Sequence, residues 1–213
     1  MELETLNAAF VIDTFLLLLI GIGPKIALVP FLEATKQMPE EIKRRVLRKM
    51  LTTAAAIAVV LMVLGELLRS LLHFTIGSLS IAGGVILFIL AASMVLKPPA
   101  NGGAPGGGKD PIELAQFPLA VPYLLNPVGI VGLVTISAEA KSISVFAVEF
   151  GLLVLVFCVD VAVFRFAGRI GDKLDENRML VTEKVFGFLI AAIGVQLVLD
   201  GLASVEATGS IPH

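Results

Sequence analysis

The chain has 213 residues, a formal net charge of −2, and a composition that is 57% hydrophobic and 16% charged, with a mean hydropathy of +0.96. A soluble globular domain is nearer half apolar and a quarter charged, and here the apolar excess gathers in runs of about 20 residues, the length that crosses a bilayer core. One cysteine, Cys158, and two histidines, His73 and His213, exclude an intrachain disulfide framework and a histidine-built metal site.

The opening Met1-Glu2-Leu3-Glu4 lacks the basic region of a cleaved signal peptide, so the first span is expected to stay in the mature chain. Six helices are predicted: 6–36 broken near 23, 46–72, 76–97, 112–139 broken near 126, 143–168 and 182–203. Residues 1–97 then form a first three-helix repeat. Residues 98–111, dominated by proline and glycine, form a flexible linker, 112–203 form the second repeat, and 204–213 form a disordered tail.

The two breaks are Gly21-Ile22-Gly23-Pro24-Lys25 and Leu124-Leu125-Asn126-Pro127-Val128-Gly129. Pro24 and Pro127 are 103 positions apart, and Gly65/Gly168 and Gly84/Gly187 keep that offset without a gap. Three crossings per half force the second half to enter the membrane upside down. The predicted fold is therefore all-α: a polytopic membrane protein of six transmembrane helices, arranged as two inverted three-helix repeats with discontinuous helices one and four. Paired interruptions in inverted halves are the best sequence pointer to a transporter's binding site at the bilayer midplane.

Thirteen of the sixteen Lys and Arg residues border loops one, three and five, including Lys43, Arg44, Arg45 and Arg48 in the first and Arg165 and Arg169 in the last. Arg69 and Lys141 lie on the other side, and Lys25 falls within the membrane. The positive-inside rule then places those loops in the cytoplasm and both termini outside, in a cell (plasma or inner) membrane.

Three segments carry a family resemblance: the break Asn126-Pro127-Val128-Gly129, the third helix Ile81-Ala82-Gly83-Gly84-Val85-Ile86-Leu87-Phe88, and the sixth, Ala191-Ala192-Ile193-Gly194-Val195-Gln196-Leu197-Val198-Leu199-Asp200-Gly201. They resemble the MarC family of six-helix bacterial and archaeal membrane proteins over essentially the whole chain outside the linker and tail. The resemblance implies a transporter, with small neutral amino acids such as glycine and alanine as substrates. At the first break Gly23 stands where the family has Asn, and Lys25 where it has an apolar residue.

A proline inside a helix removes one backbone bond and displaces the carbonyl four residues back, and in lipid those freed groups must be satisfied by protein, water or ligand. The second half-helices begin at similar depth with exposed N–H groups that suit a carboxylate. Gly23, Pro24, Lys25, Asn126, Pro127 and Gly129 are therefore candidate substrate-binding residues, against a bland alternative of two packing kinks. Lys25 sits about 6 Å inward of the first segment's midpoint at 1.5 Å per residue, where a lysine costs about 2.5–3.5 kcal/mol. A partner is expected: a substrate carboxylate, or Asp160 on the fifth helix at nearly the same depth, as a structural ion pair. Ser93 and Gln196, mates at the same offset, join the candidates; the alternative is helix–helix hydrogen bonding for Asn126 and Gln196 and a bond back to its own helix for Ser93. Thr135 and Ser137 are expected to bond within their own helices, and Glu66–Arg69 to form a local ion pair.

No phosphate-binding glycine loop with Lys-Ser/Thr and no nucleophile–base set occurs, so neither an enzyme nor a nucleic-acid binder is expected. No cofactor is expected either. The leading expectation is a secondary transporter, exporting in direction, of small neutral amino acids or similar carboxylate-bearing solutes, coupled to a proton or sodium ion. A flippase for lipid headgroups or polyprenyl phosphates is the second reading, favoured by a wide lateral opening. An anion channel is the third, and needs a polar lining.

Overall fold

A computed structural model describes residues 8–96, 110–139, 142–171 and 176–208. Among the described residues the chain is helical: α1 Ala8–Gly21, α2 Pro24–Thr35, α3 Glu40–Leu72, α4 Ile76–Leu96, a single turn α5 Pro111–Leu114, an irregular wound segment Ala115–Leu124, α6 Pro127–Glu139, α7 Ile143–Gly171 and α8 Glu176–Thr208. Both breaks fall where the prolines place them, and Pro24 and Pro127 each open a helix, the position where a missing N–H costs least.

Among the described residues four helices are long and apolar enough to cross a membrane: Glu40–Leu72, Ile76–Leu96, Ile143–Ala167 and Lys184–Glu206. The other two expected spans are not continuous helices. One is α1 followed by α2; the other is Pro111–Leu124 followed by α6.

The expected helix over 112–125 is a correction. Phe117 (φ −140°, ψ 122°) and Val121 (φ −133°, ψ 127°) are extended, and each precedes a proline, Pro118 and Pro122, through a cis peptide bond. The residue before proline is sterically pushed out of the helical basin, and two such pairs four residues apart prevent regular winding. Other boundaries also move. α3 begins at Glu40 rather than 46, and α8 runs to Thr208, past the position where a tail is expected. The linker over 98–111 lies almost wholly outside the described residues; its end is ordered, because Asp110 caps α5 by accepting from Ile112 N at 3.0 Å.

Local chemistry sets the helix ends. His73 closes α3 in the left-handed region (φ 55°), and Thr75 and Ser78 cap α4 reciprocally, with Ser78 N donating to Thr75 Oγ1 at 3.0 Å and Thr75 N to Ser78 Oγ at 3.1 Å. At the far end of α4, Lys184 on α8 donates to Met94 O at 2.7 Å, supplying a partner for one of the last carbonyls.

Two packing units result. α4 and α8 lie against each other along glycines: a methyl added at Gly201 would come within 2.7 Å of Gly77 O, and one at Gly84 within 2.7 Å of Val198 Cγ2. Small residues let membrane helices approach this closely. The larger core joins α1, α2, α3, the 115–125 stretch, α6 and α7, with Leu18, Ile22, Met50, Leu124, Leu125, Leu133 and Leu153 among its buried members. Gly129 sits against Gly21 and Gly132 against Leu17, so α1 and α6 are antiparallel. α7 packs on both α1 and α2.

Candidate functional site

The two breaks meet. Ile22 and Leu125, both fully buried, form an isolated antiparallel bridge, and they are 103 positions apart, like the prolines. Asn126 N donates to Gly21 O at 3.0 Å, and a methyl at either Gly21 or Gly129 would collide with the other's backbone. Glycine is required here because two backbones touch.

Asn126, fully buried, completes the crossing. Its Oδ1 accepts from Val128 N at 2.8 Å and Gly129 N at 3.2 Å, capping α6. Its Nδ2 donates to Ile20 O at 2.9 Å. Ile20 is the residue four before Pro24, so this carbonyl is the one that proline's missing N–H leaves without its helical donor. One side chain thus repairs both breaks. Of the two roles weighed for Asn126, the helix–helix one is formed in this structure.

The first break is finished differently. Gly23 occupies the N-cap of α2 with no side-chain cap hydrogen bond. Its backbone is extended (φ −130°, ψ 157°), which any residue adopts; what demands glycine is Leu19 O, which a Cβ would strike. Lys25 follows on the first turn, half-buried, with its Cε about 3.9 Å from where a Gly23 methyl would lie. Gly23, Pro24, Lys25, Asn126, Pro127 and Gly129 are therefore together at or beside the crossing.

Ser93 and Gln196 are not part of it. Ser93 Oγ donates back to Leu90 O at 2.7 Å. Gln196 lies on the exposed face of α8 and donates to Asp200 Oδ1 at 2.8 Å. The neighbour that reaches toward the crossing is Leu197, which shares Gly83 with Pro127. Thr135 bonds back to Val131 O at 3.0 Å as expected, whereas Ser137 reaches across to α3 and accepts from Glu66 N at 2.9 Å. Glu66 and Arg69 form the expected local pair at 2.6 Å.

The expected Lys25–Asp160 ion pair is not formed. Asp160 is fully buried and neither carboxylate oxygen has a hydrogen-bond partner. It belongs to a stripe on α7 that also contains Glu149, Leu153, Val156 and Phe164. Equal depth along two helices does not bring their side chains together; helix rotation does, and the lysine folds toward Gly23. Among the described residues no group of three or more His, Cys, Asp or Glu could hold a metal.

Between α3 and α7 lies an apolar groove of about 380 Å³, bounded by Ala55, Val59, Phe150, Val154, Phe157 and Val161 among others. Nothing in the sequence pattern pointed to it, because lipid-facing and groove-lining positions are equally apolar.

A family model described as "MarC family integral membrane protein" matches residues 8–205. Among curated relatives, a "UPF0056 membrane protein" of Archaeoglobus fulgidus is 25% identical, covering 92% of this chain and 93% of the relative. The "UPF0056 inner membrane protein YhgN" of Escherichia coli K12 is 24% identical, covering 90% and 95%, and the "UPF0056 membrane protein YvbG" of Bacillus subtilis is 23% identical, covering 91% and 94%. No solved structure matches. The crossed, proline-opened helices described above therefore belong to a chain that is a member of the MarC family of integral membrane proteins.

Proposed function

We propose that the chain is a secondary transporter of six membrane crossings, built as two inverted three-helix halves, that carries small neutral amino acids or similar carboxylate-bearing solutes through the crossing of its two breaks. The observation that carries this reading is the Ile22–Leu125 bridge, in which residues at equivalent positions of the two halves pair antiparallel. A second set of contacts supports it. Gly84 packs on Gly194 O and Val198 Cγ2, and 103 positions away in each partner Gly187 packs on Ala91 O and Val95 Cγ2. Contacts exchanged in this way are what a two-fold axis in the membrane plane produces.

In this reading the uncapped N-terminus of α2 and the Lys25 ammonium hold the carboxylate, while the Asn126-capped end of α6 stays a fixed support. One half rocks against the other about the crossing, with loops one, three and five in the cytoplasm and export as the direction. The test is counterflow in proteoliposomes with a panel of amino acids and organic anions, together with Lys25→Met. Uptake of a carboxylate-bearing solute that Lys25→Met reduces at least tenfold supports the reading; the absence of counterflow for every solute rejects it. The α3–α7 groove favours a second reading, translocation of a lipid whose chain lies in that groove. Scrambling of labelled lipid without solute counterflow would select it.

A further inference from the structure

Asp160 and Glu149 are two buried carboxyl groups of α7 that the crossing does not use, and Asp160 is the more deeply buried of them. Three residues flank it on the buried stripe of α7: Leu153 and Val156 toward one end and Phe164, one turn on, toward the other. Phe164 meets Phe31 of α2 edge-on, with ring centroids 5.3 Å apart and planes at 79°. The apolar span of α7 is Ile143–Ala167, so Asp160 lies about 7.5 Å from its centre at 1.5 Å per residue. Neither lipid nor water reaches it, and both its oxygens are without a hydrogen bond.

An ionised carboxylate in such a place carries a large desolvation cost, and a group so placed neutralises instead. No charged group of the elements packed on α7 bonds to it, and the basic residues Lys43, Arg44, Arg45, Arg48 and Lys49 of α3 lie on the first turns of that helix. Asp13 on α1 is exposed, Lys25 and Glu33 on α2 make no bond to it, and on α3 Glu66 and Arg69 bind each other. Glu149 and Arg165 share its helix. A metal cation would need several further oxygen ligands, and the neighbouring side chains on the stripe are hydrocarbon.

We propose that Asp160 is the proton-carrying site of the transport cycle, protonated in the conformation described here. This rests on the transporter reading. When rocking of the halves opens the α7 face to water on one side, the carboxyl O–H gives its proton to water and leaves a solvated carboxylate. The carboxylate keeps its water shell while the opening passes to the other side, where a proton from water restores the neutral carboxyl and the face closes dry. One proton crosses for each full cycle.

The experiment is infrared difference spectroscopy of the reconstituted full chain, with 13C-labelled aspartate to separate Asp from Glu bands. A protonated Asp carboxyl band at pH 7 is expected in the wild type, shifting in D2O within minutes and missing from Asp160→Asn. The absence of such a band at pH 7 overturns the proposal, as does a band that does not exchange in D2O, since a merely structural carboxyl stays sealed. In transport, Asp160→Asn should keep counterflow within about twofold of the wild type but lose pH-gradient-driven accumulation at least tenfold; retained gradient-driven accumulation also overturns it. The infrared result needs no solute. A failure of the transporter reading, seen as no counterflow in the wild type, is therefore distinguishable from a failure at Asp160.

Discussion

The two breaks share a proline at the first helical position and a place at the crossing, yet their exposed helix ends are finished in opposite ways. At the second, Asn126 occupies the N-cap, satisfies two N–H groups of α6 and reaches over to the carbonyl that the first break orphans. At the first, the equivalent position is Gly23, which has no side chain to cap with and no room for one. Lys25 then sits on a helix end whose N–H groups point at no side chain. The difference teaches that one interruption anchors the pair while the other keeps its polar capacity for something else. A buried polar group left without a partner costs about 1–3 kcal/mol, so the open end is the one where a ligand gains most.

Substitutions can break or sharpen that contrast. The largest effect is expected from Gly129→Ala, whose methyl would run into the Gly21 carbonyl. Separating the two backbones should cost about 3 kcal/mol or more, read as a large fall in Tm or loss of monodisperse protein in detergent. Gly132→Ala is its control, because that methyl meets only the movable Leu17 side chain; equal losses in the two would refute the backbone-contact argument. Next comes Asn126→Leu, which strands the Ile20 carbonyl and uncaps α6. A loss of about 2 kcal/mol is expected, measured as a shift in the denaturation midpoint, and an unchanged midpoint would mean the anchoring role is misassigned.

Lys25→Met should leave stability within about 1 kcal/mol while reducing transport at least tenfold. Because no ion pair joins Lys25 to Asp160, neutralising both residues should not restore what the single change removes; recovery in the double variant would show that the pair forms elsewhere in the cycle. The smallest effect belongs to Gln196→Leu, on the exposed face of α8. Stability within about 0.5 kcal/mol of the wild type and unaltered counterflow are expected, and a tenfold transport loss would return Gln196 to the site.

What the sequence made legible was the covalent punctuation. Pro24 and Pro127 gave the breaks, the glycine offset gave their equivalence, and Asn126 stood out because four hydrogen-bonding sites cannot go unanswered in lipid. Helix rotation was not legible. In a soluble helix polar residues mark the outer face, but around a membrane helix both faces are apolar, so nothing in the pattern said that Gln196 points away from the crossing or that Lys25 turns toward Gly23. Gly84 and Gly194 marked the α4–α8 contact face by size instead. The distortion at Phe117 and Val121 was readable in principle from the residues preceding Pro118 and Pro122; an apolar run of helical length obscured it.

The donor that closes the first break lies 106 residues downstream of the carbonyl it serves. During synthesis at roughly 5–20 residues per second, Ile20 emerges roughly 5–20 seconds before Asn126 exists. Over that interval the first crossing is a pair of short pieces with an unanswered carbonyl between them, unfit for release into hydrocarbon. The first break therefore reaches its full set of backbone partners only once the second has been made.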